Sequence, residues 1–454
     1  MTDIISGLNG YLWGFPMITF LFFTHLFFSA YTKGIQRKFL LGIKLSFTSP
    51  KGDCGSISPF TALATTLAST LGTGNIIGVA TAVSLGGPGA VFWCWITGVL
   101  GMATQYAEVL LSVKFRQKTA PKEYLGGPAY VIRKGVGSRW LSCFYAMVAA
   151  VSVWITGSVI QSNAIGTVMA DTISPKAQTG KNIMLLTVGI LTAILTALVI
   201  FGGLSFVGSV CRIMVPFMGL VYIASCIVIL YINRNVLADS IVLIIRSAFS
   251  SQSVGGGFVG STILTAARYG VARGLFSNEA GVGTSAIVPA SANTPNPVRQ
   301  GLVSMTATFW DTVVMCLMTG LVIVSSVISS ESEALLDGGE LCALAFSKIP
   351  VIGGGILLFS MVVFAFSTIV GMSPVGVNSV EFLFGRAARK PYLLLWTAGV
   401  FAAPLIPLDA VWELADIFNA LLIIPNVCSL LVLAKIVKSE THKFIKTPDS
   451  FSET

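Results

Sequence analysis

Two short runs of glycine and polar residues interrupt stretches that are otherwise apolar enough to lie in a bilayer. One is Gly72-Thr73-Gly74-Asn75, inside Thr65–Ala82; the other is Ser277-Asn278-Glu279, followed by Gly281 and Gly283, inside Leu275–Ala290. Glycine in place of alanine weakens a helix by about 1 kcal/mol, and in hydrocarbon every backbone group so released must find another partner. A helix that stops near Leu71 and restarts near Asn75 leaves the carbonyls of Ala68 and Leu71 without amide partners and turns the amides of Thr73, Gly74 and Asn75 outward. Free carbonyls suit a hard cation such as sodium, and free amides at a half-helix N-terminus suit a carboxylate. Such a pair of breaks would hold a zwitterionic amino acid largely by backbone.

The second run adds side chains, with Ser277 and Asn278 as neutral donors and acceptors and Glu279 as a charge. An ionised carboxylate in mid-bilayer costs about 2.5–3.5 kcal/mol, so Glu279 is expected in a structural ion pair, with Arg273 or Arg268 as partner, rather than as a coupling group. The same reading applies more strongly to Asp311 and Glu108. Of Gln161 and Asn163, one is expected to face a central cavity, because amides in apolar helices seek polar partners. The hydroxyls of Ser367 and Thr368, in FAFSTIVGM, would complete an oxygen shell begun by Ala68 and Leu71; the competing use is a bond to their own preceding turn.

The elements that must position these groups follow from composition. The chain has 454 residues, 54% hydrophobic and 10% charged, far below the roughly 25% charged residues of soluble domains. It reads as an all-α polytopic membrane protein with about eleven spans, one N-terminal helix and two sets of five, in which the first and sixth core helices are broken. Residues 1–56 comprise the first helix and a basic loop, 57–232 and 233–436 the two sets, and 437–454 a short tail. With the N-terminus outside, the loops 32–55, 113–139 and 385–390 and the tail place most of the 28 Lys and Arg residues in the cytoplasm, while the loop Glu331–Glu340 is acidic and outside. Sets of five, an odd number, must be inverted relative to each other, as in inverted-repeat transporters.

Other chemistries lack their residues. The eight cysteines form no C-x-x-C pair and mostly sit in apolar runs, and the two histidines, His25 and His442, are far apart. Walker A, H-E-x-x-H and G-x-S-x-G motifs do not occur, so an enzyme is not expected. A passive channel would show rows of like polar side chains along several spans, and here there are two isolated breaks. Nothing points to nucleic acid or to an obligate protein partner; the expected partners are the lipid bilayer and a small neutral amino acid.

GGPGAVFWCW (residues 86–95), GTGNIIGVATA before it, ARGLFSNEAGVGT, FAFSTIVG and WELADIFNALLIIPN occur in that order over nearly the whole chain. Together they resemble the sodium:alanine symporter family of alanine or glycine:cation symporters. The resemblance implies a LeuT-type five-plus-five fold and sodium-driven amino-acid uptake in a bacterial cytoplasmic membrane, with proton coupling as the alternative. It further implies that Gly72, Thr73, Gly74, Asn75, Gln161, Phe276, Ser277, Asn278 and Thr368 lie at the substrate, and Ala68, Leu71, Ser367 and Thr368 at a co-transported sodium ion. One stretch departs from the family pattern, which has a tryptophan, a serine and an aromatic pair where this chain reads Met372-Ser373-Pro374-Val375. Met372 falls one helical turn after Thr368 and is expected to line the pocket, which puts an alanine or glycine preference in question.

Overall fold

The computed structural model describes residues 12–48, 55–120, 123–173, 178–250, 258, 262–330, 335–406 and 409–446. Glu331 and Glu333 of the acidic loop, the basic residues Lys51, Lys122 and Lys176, and the tail beyond residue 446 therefore lie outside the described residues.

The α-helices of eight or more residues, in chain order, are α1 (Phe15–Tyr31), α2 (Phe39–Ser46), α3 (Pro59–Thr70), α4 (Ile77–Gly86), α5 (Gly89–Lys114), α6 (Arg139–Val153), α7 (Gln161–Ile173), α8 (Gln178–Ile200), α9 (Gly203–Ile232), α10 (Leu237–Phe249) and α11 (Ile263–Asn278). They continue with α12 (Pro297–Thr308), α13 (Leu317–Ser330), α14 (Gly338–Ser347), α15 (Gly353–Phe384), α16 (Arg389–Ala402), α17 (Asp409–Val432) and α18 (Ala434–Lys446). A short antiparallel hairpin, β1 (Gln117–Ala120) and β2 (Glu123–Leu125), follows α5.

Among the described residues, seven helical stretches are long and apolar enough to cross a membrane alone. Two more spans qualify when joined across a bend, Phe15–Tyr31 with Ile35–Ser46 at 65° and Pro59–Thr70 with Thr73–Gly86 at 67°. The remaining two expected spans fall on α11 and α16, which are too short to qualify unbroken. Two stretches read as loops are partly helical, 32–55 with α2 and the acidic outer loop with α14, and the second set opens with a further helix, α10, between its start and the second break. The apolar residues of these stretches account for the difference, since Leu45, Ile244, Leu341 and Phe346 are buried against the bundle.

Burial sorts the helices. In its most apolar window α5 is 83% buried, whereas α8 and α9 are each 33% buried and present Leu198, Ile213, Phe217 and Leu220 outward, as lipid-facing helices should. Gly270 and Gly274, four apart on α11, let that helix lie directly on α5; a Cβ at Gly270 would stand 2.4 Å from the Ala90 carbonyl oxygen.

The first break is built as its residues dictate. Ser58 caps α3 by accepting from the Thr61 amide at 3.1 Å, with Pro59 in the first turn. The helix ends at Leu71, whose backbone is extended, and a single tight turn over Thr73–Asn75 leads into α4. In the second break α11 ends at Glu279 in the left-handed conformation. Gly281 and Gly283 take φ of 98° and 89°, and the chain continues in short turns to Ser291 rather than in a second regular helix. The two broken segments run antiparallel and meet again at one end, where Asn293 N donates to Ile57 O at 2.7 Å.

Candidate substrate and ion site

The Gly72 amide, which would close the helical turn on Ala68, donates instead to Asn75 Oδ1 at 3.0 Å, and the Asn75 amide bonds to Gly72 O. Both the Ala68 and Leu71 carbonyls are thereby released from the helix, as the sequence predicts. Leu71 O is met by Ser367 Oγ at 3.3 Å and Thr368 Oγ1 at 3.1 Å, each of which also reaches Phe364 O on its own helix. Gly371 allows this approach, since a Cβ there would lie 2.6 Å from the Ser69 amide nitrogen. Two carbonyls and two hydroxyls, without a charged side chain, make an all-oxygen set of the kind that suits a hard cation.

Beside this set lies a central cavity of about 30 Å³, lined by Ser69, Thr70, Gly72, Gly74, Thr156, Gln161, Phe276, Ser277, Glu279, Thr368, Met372 and Asn419. Gln161 spans its wall. Its Oε1 accepts from Thr73 N at 3.4 Å and Thr73 Oγ1 at 3.2 Å, while its Nε2 donates to Thr156 O at 3.3 Å. A vestibule of about 310 Å³, bordered by Thr81, Thr167 and Arg273, shares Gly74 and Phe276 with the central cavity. On the opposite side, a second vestibule of about 500 Å³ reaches Ser373 and Asn378 on α15. It shares no lining residue with the central cavity. This second side is tied shut by Arg116, which donates to the carbonyls of Ala290, Ala292 and Thr294, and by the hairpin, whose Glu123 pairs with Arg386 and Arg389.

Behind the cavity, the two breaks are joined by Asp311. Its Oδ1 accepts from Asn75 Nδ2, and its Oδ2 from Ser277 Oγ and Thr312 Oγ1, all at 2.7 Å; Asn75 Nδ2 also reaches Ser277 Oγ at 2.8 Å. Asp311 sits in a π-helical stretch, Phe309–Cys316, and Thr156 in another, Trp154–Ile160. Such bulges turn single side chains out of helical register and are common at functional sites.

A sequence profile of the sodium:alanine symporter family matches residues 1–453. The chain belongs to the sodium:alanine symporter family. It is 39% identical to an uncharacterised transporter of Haemophilus influenzae over 98% of this chain and 96% of that one. It is also 37% identical to the sodium/alanine symporter AgcS of Methanococcus maripaludis, with 97% of each chain covered. Its fold is that of the LeuT-type transporter MhsT, solved in complex with L-phenylalanine, at a TM-score of 0.59 and 14% identity, covering 84% of this chain and 89% of that one. The protein is thus a polytopic membrane symporter, not an enzyme, of a family of cation-coupled amino-acid carriers.

Within this family member, Gly72, Gly74, Gln161, Phe276, Ser277, Thr368 and Met372 all border the central cavity. Three other expected substrate residues do not. Thr73 faces the 310 Å³ vestibule, Asn75 is fully buried in the Asp311 knot, and Asn278 turns away to donate to Thr312 Oγ1 and to cap the Ala280 amide. Asn75 and Asn278 share a reason: each side chain is consumed in holding its break open. Asn163 likewise bonds to Ala403 O and Ile406 O, at the vestibule rather than the centre.

The expected ion pair of Glu279 is not formed. Thr284 Oγ1 donates to Glu279, while Arg273 lies 5.8 Å from the Phe276 ring centroid and Arg268 lies 5.8 Å from that of Tyr269. Asp311 and Glu108 are also without ion pairs among the described residues; Glu108 accepts from Gly281 N at 2.8 Å and Asn426 Nδ2 at 2.6 Å, bracing the second break. A helical residue six positions from a break points to a different face, which is why proximity in sequence misled here. Thr156 and Asn419 were missed. Asn419, inside the apolar run of WELADIFNALLIIPN and bonded to Ser152, carried the signal of an amide in a membrane helix.

Proposed function

We propose that this protein is a sodium-coupled symporter that imports small neutral amino acids, alanine, glycine or a somewhat larger relative, by alternating access. The observation that carries this reading is the cluster of Leu71 O with the Ser367 and Thr368 hydroxyls, beside the released Ala68 carbonyl, next to a small central cavity with a vestibule on either side. Sodium drawn into that set bridges α3 to α15 and favours the form closed around substrate. The amides at the first break and the Gln161 and Ser277 side chains then meet the zwitterion. One sodium ion moving through 100 mV supplies about 2.3 kcal/mol and a tenfold gradient about 1.4, enough to hold a neutral solute several-hundred-fold above its outside level.

The basic loops support a cytoplasmic membrane location with the N-terminus outside and the C-terminus inside. On this reading 57–232 and 233–436 act as the two inverted five-helix repeats, the 310 Å³ vestibule faces out and the 500 Å³ vestibule faces the cytoplasm. Counterflow of labelled amino acids in proteoliposomes, with and without sodium, tests the proposal; exchange that ignores sodium overturns it. Proton coupling is the second reading, favoured by the buried carboxylates Glu108 and Asp311 and the half-buried Glu279, which lack ion pairs among the described residues. Uptake driven by a proton gradient alone, in the absence of sodium, would select it.

Met372 sets the expected selectivity. The helix continues through Pro374, so the proline does not re-aim this residue; its sulfur lies 3.7 Å from Thr156 Oγ1 at the cavity wall. Methionine adapts to different side chains, whereas tryptophan at this position would fix a large ring beside the substrate. The wild type should accept at least one amino acid larger than alanine, and Met372→Trp should shift preference toward glycine and alanine by about 10–200-fold per methylene excluded. Competition by glycine, alanine, serine, valine and methionine measures this, and an identical rank order in both proteins would remove Met372 from selectivity.

A further inference from the structure

With the charged groups of an amino acid taken by the first-break amides, Gln161 and Ser277, a substrate side chain is left to face another part of the central cavity. Thr156, Met372 and Asn419 form that wall, delivered by the π-helical stretch after α6, by α15 and by α17. Asn419 is a primary amide in an otherwise apolar run. Its Oδ1 accepts from Ser152 Oγ at 2.9 Å, which fixes the end of the amide turned toward α6. Its Nδ2 makes no hydrogen bond among the described residues, and the half-buried residue opens onto the cavity. A donor left without an acceptor beside a substrate space calls for an acceptor on the substrate.

Thr156 supplies the complement. Its hydroxyl donates to Ser152 O at 2.9 Å, a nearer and stronger acceptor than the Met372 sulfur at 3.7 Å, so its oxygen keeps lone pairs for a substrate. Both neighbours are held in place: Gln161 Nε2 donates to the Thr156 carbonyl at 3.3 Å, and a Cβ at Gly157 would stand 2.7 Å from Met372 Cβ. One donor and one acceptor on either side of a thioether match a group that accepts and donates at once, which is a hydroxyl. We propose that this wall is a side-chain subsite for a hydroxyl and that the preferred substrate is a small hydroxyl amino acid, serine before alanine. Asn419 Nδ2 donates to the side-chain oxygen, and that hydroxyl donates to Thr156 Oγ1. The proposal rests on the amino-acid transport reading above and narrows its substrate. An amide side chain carries the same pairing, but a central cavity of about 30 Å³ favours the smaller group. Alanine leaves both polar groups unpaired, which is how a site built for a hydroxyl rejects the analogue that lacks it.

The test uses the full chain in proteoliposomes and sets serine against α-aminobutyrate, which has the same size and an ethyl group in place of the hydroxymethyl. Sodium-dependent uptake of labelled alanine comes first, and its absence would defeat the transport reading and the subsite with it. Given uptake, serine should compete at about tenfold lower concentration than either α-aminobutyrate or alanine. Equal competition by serine and α-aminobutyrate in the wild type overturns the proposal whatever any variant does. Asn419→Leu keeps the shape of the side chain and removes the donor, so the ratio of serine to α-aminobutyrate potency should fall close to unity. The ratio is taken within one protein, so the amount of folded carrier cancels. A leucine variant that retains the wild-type ratio would overturn the role of Asn419. Where that variant carries no uptake, Ser152→Ala gives the same reading from a residue that only positions the amide: the ratio should drop about threefold, and an unchanged ratio would count against the subsite.

Discussion

Asp311→Ala is expected to abolish amino-acid uptake and to lower the thermal stability of the solubilised protein. The carboxylate takes three donors at 2.7 Å, one from the first break, one from the second and one from its own helix. Truncation leaves Asn75, Ser277 and Thr312 in a fully buried space without their acceptor, at a cost of about 1–3 kcal/mol for each group left unpaired. The loss should also reach the proposed ion site, because Asn75 Oδ1 is what draws the Gly72 amide away from Ala68. Asp311→Asn separates charge from shape. It should fold, yet its amide would bring two further donors to a point where three already converge, and uptake should drop at least about tenfold. Full sodium-driven uptake by the asparagine variant would remove Asp311 from the mechanism and leave it a packing residue.

That role illustrates where reading the chain alone succeeded and where it stopped. Breaks at Gly72–Asn75 and Ser277–Gly283 were legible because glycines set among Thr, Asn, Ser and Glu do more than the close helix packing that glycines alone would serve, and each break has local consequences that a sequence states directly. The released carbonyls of Ala68 and Leu71 are such a consequence. Asp311 lies 34 residues beyond Ser277 and 236 beyond Asn75, and only the packing of three helices shows that it joins them. Its π-helical setting adds to the difficulty, since it shifts the face that a 3.6-residue period would assign. Arg273 failed for the complementary reason. Six residues before Glu279 it looked like a partner, but α11 ends between them in a reversal at Glu279, and the two side chains are delivered to different spaces: Glu279 to the central cavity and Arg273 to the vestibule.

Thr368→Val should raise the sodium concentration for half-maximal uptake by about tenfold or more, with a smaller effect on the amount of folded protein. Valine keeps the branched shape of threonine and removes only the oxygen, so packing of α15 against α3 is retained. In the present form Thr368 Oγ1 donates to Leu71 O at 3.1 Å and Ser367 Oγ does so at 3.3 Å. A cation entering between them must turn both hydroxyls so that their lone pairs face it, and the Leu71 carbonyl then exchanges two weak donors for a full positive charge. Interactions of this charge-assisted kind contribute about 1.5–3 kcal/mol each, which corresponds to a tenfold to hundredfold change in apparent affinity. Thr368 borders the central cavity as well, so the substrate half-saturation should rise at limiting sodium and recover toward wild type as sodium is raised. Thr368→Ser, which restores the oxygen without the methyl group, should return sodium dependence close to normal. Sodium titrations of initial uptake at fixed alanine decide the matter: a valine variant with wild-type sodium dependence would mean that the cation binds elsewhere, and that the two hydroxyls only fasten α15 to the open end of α3.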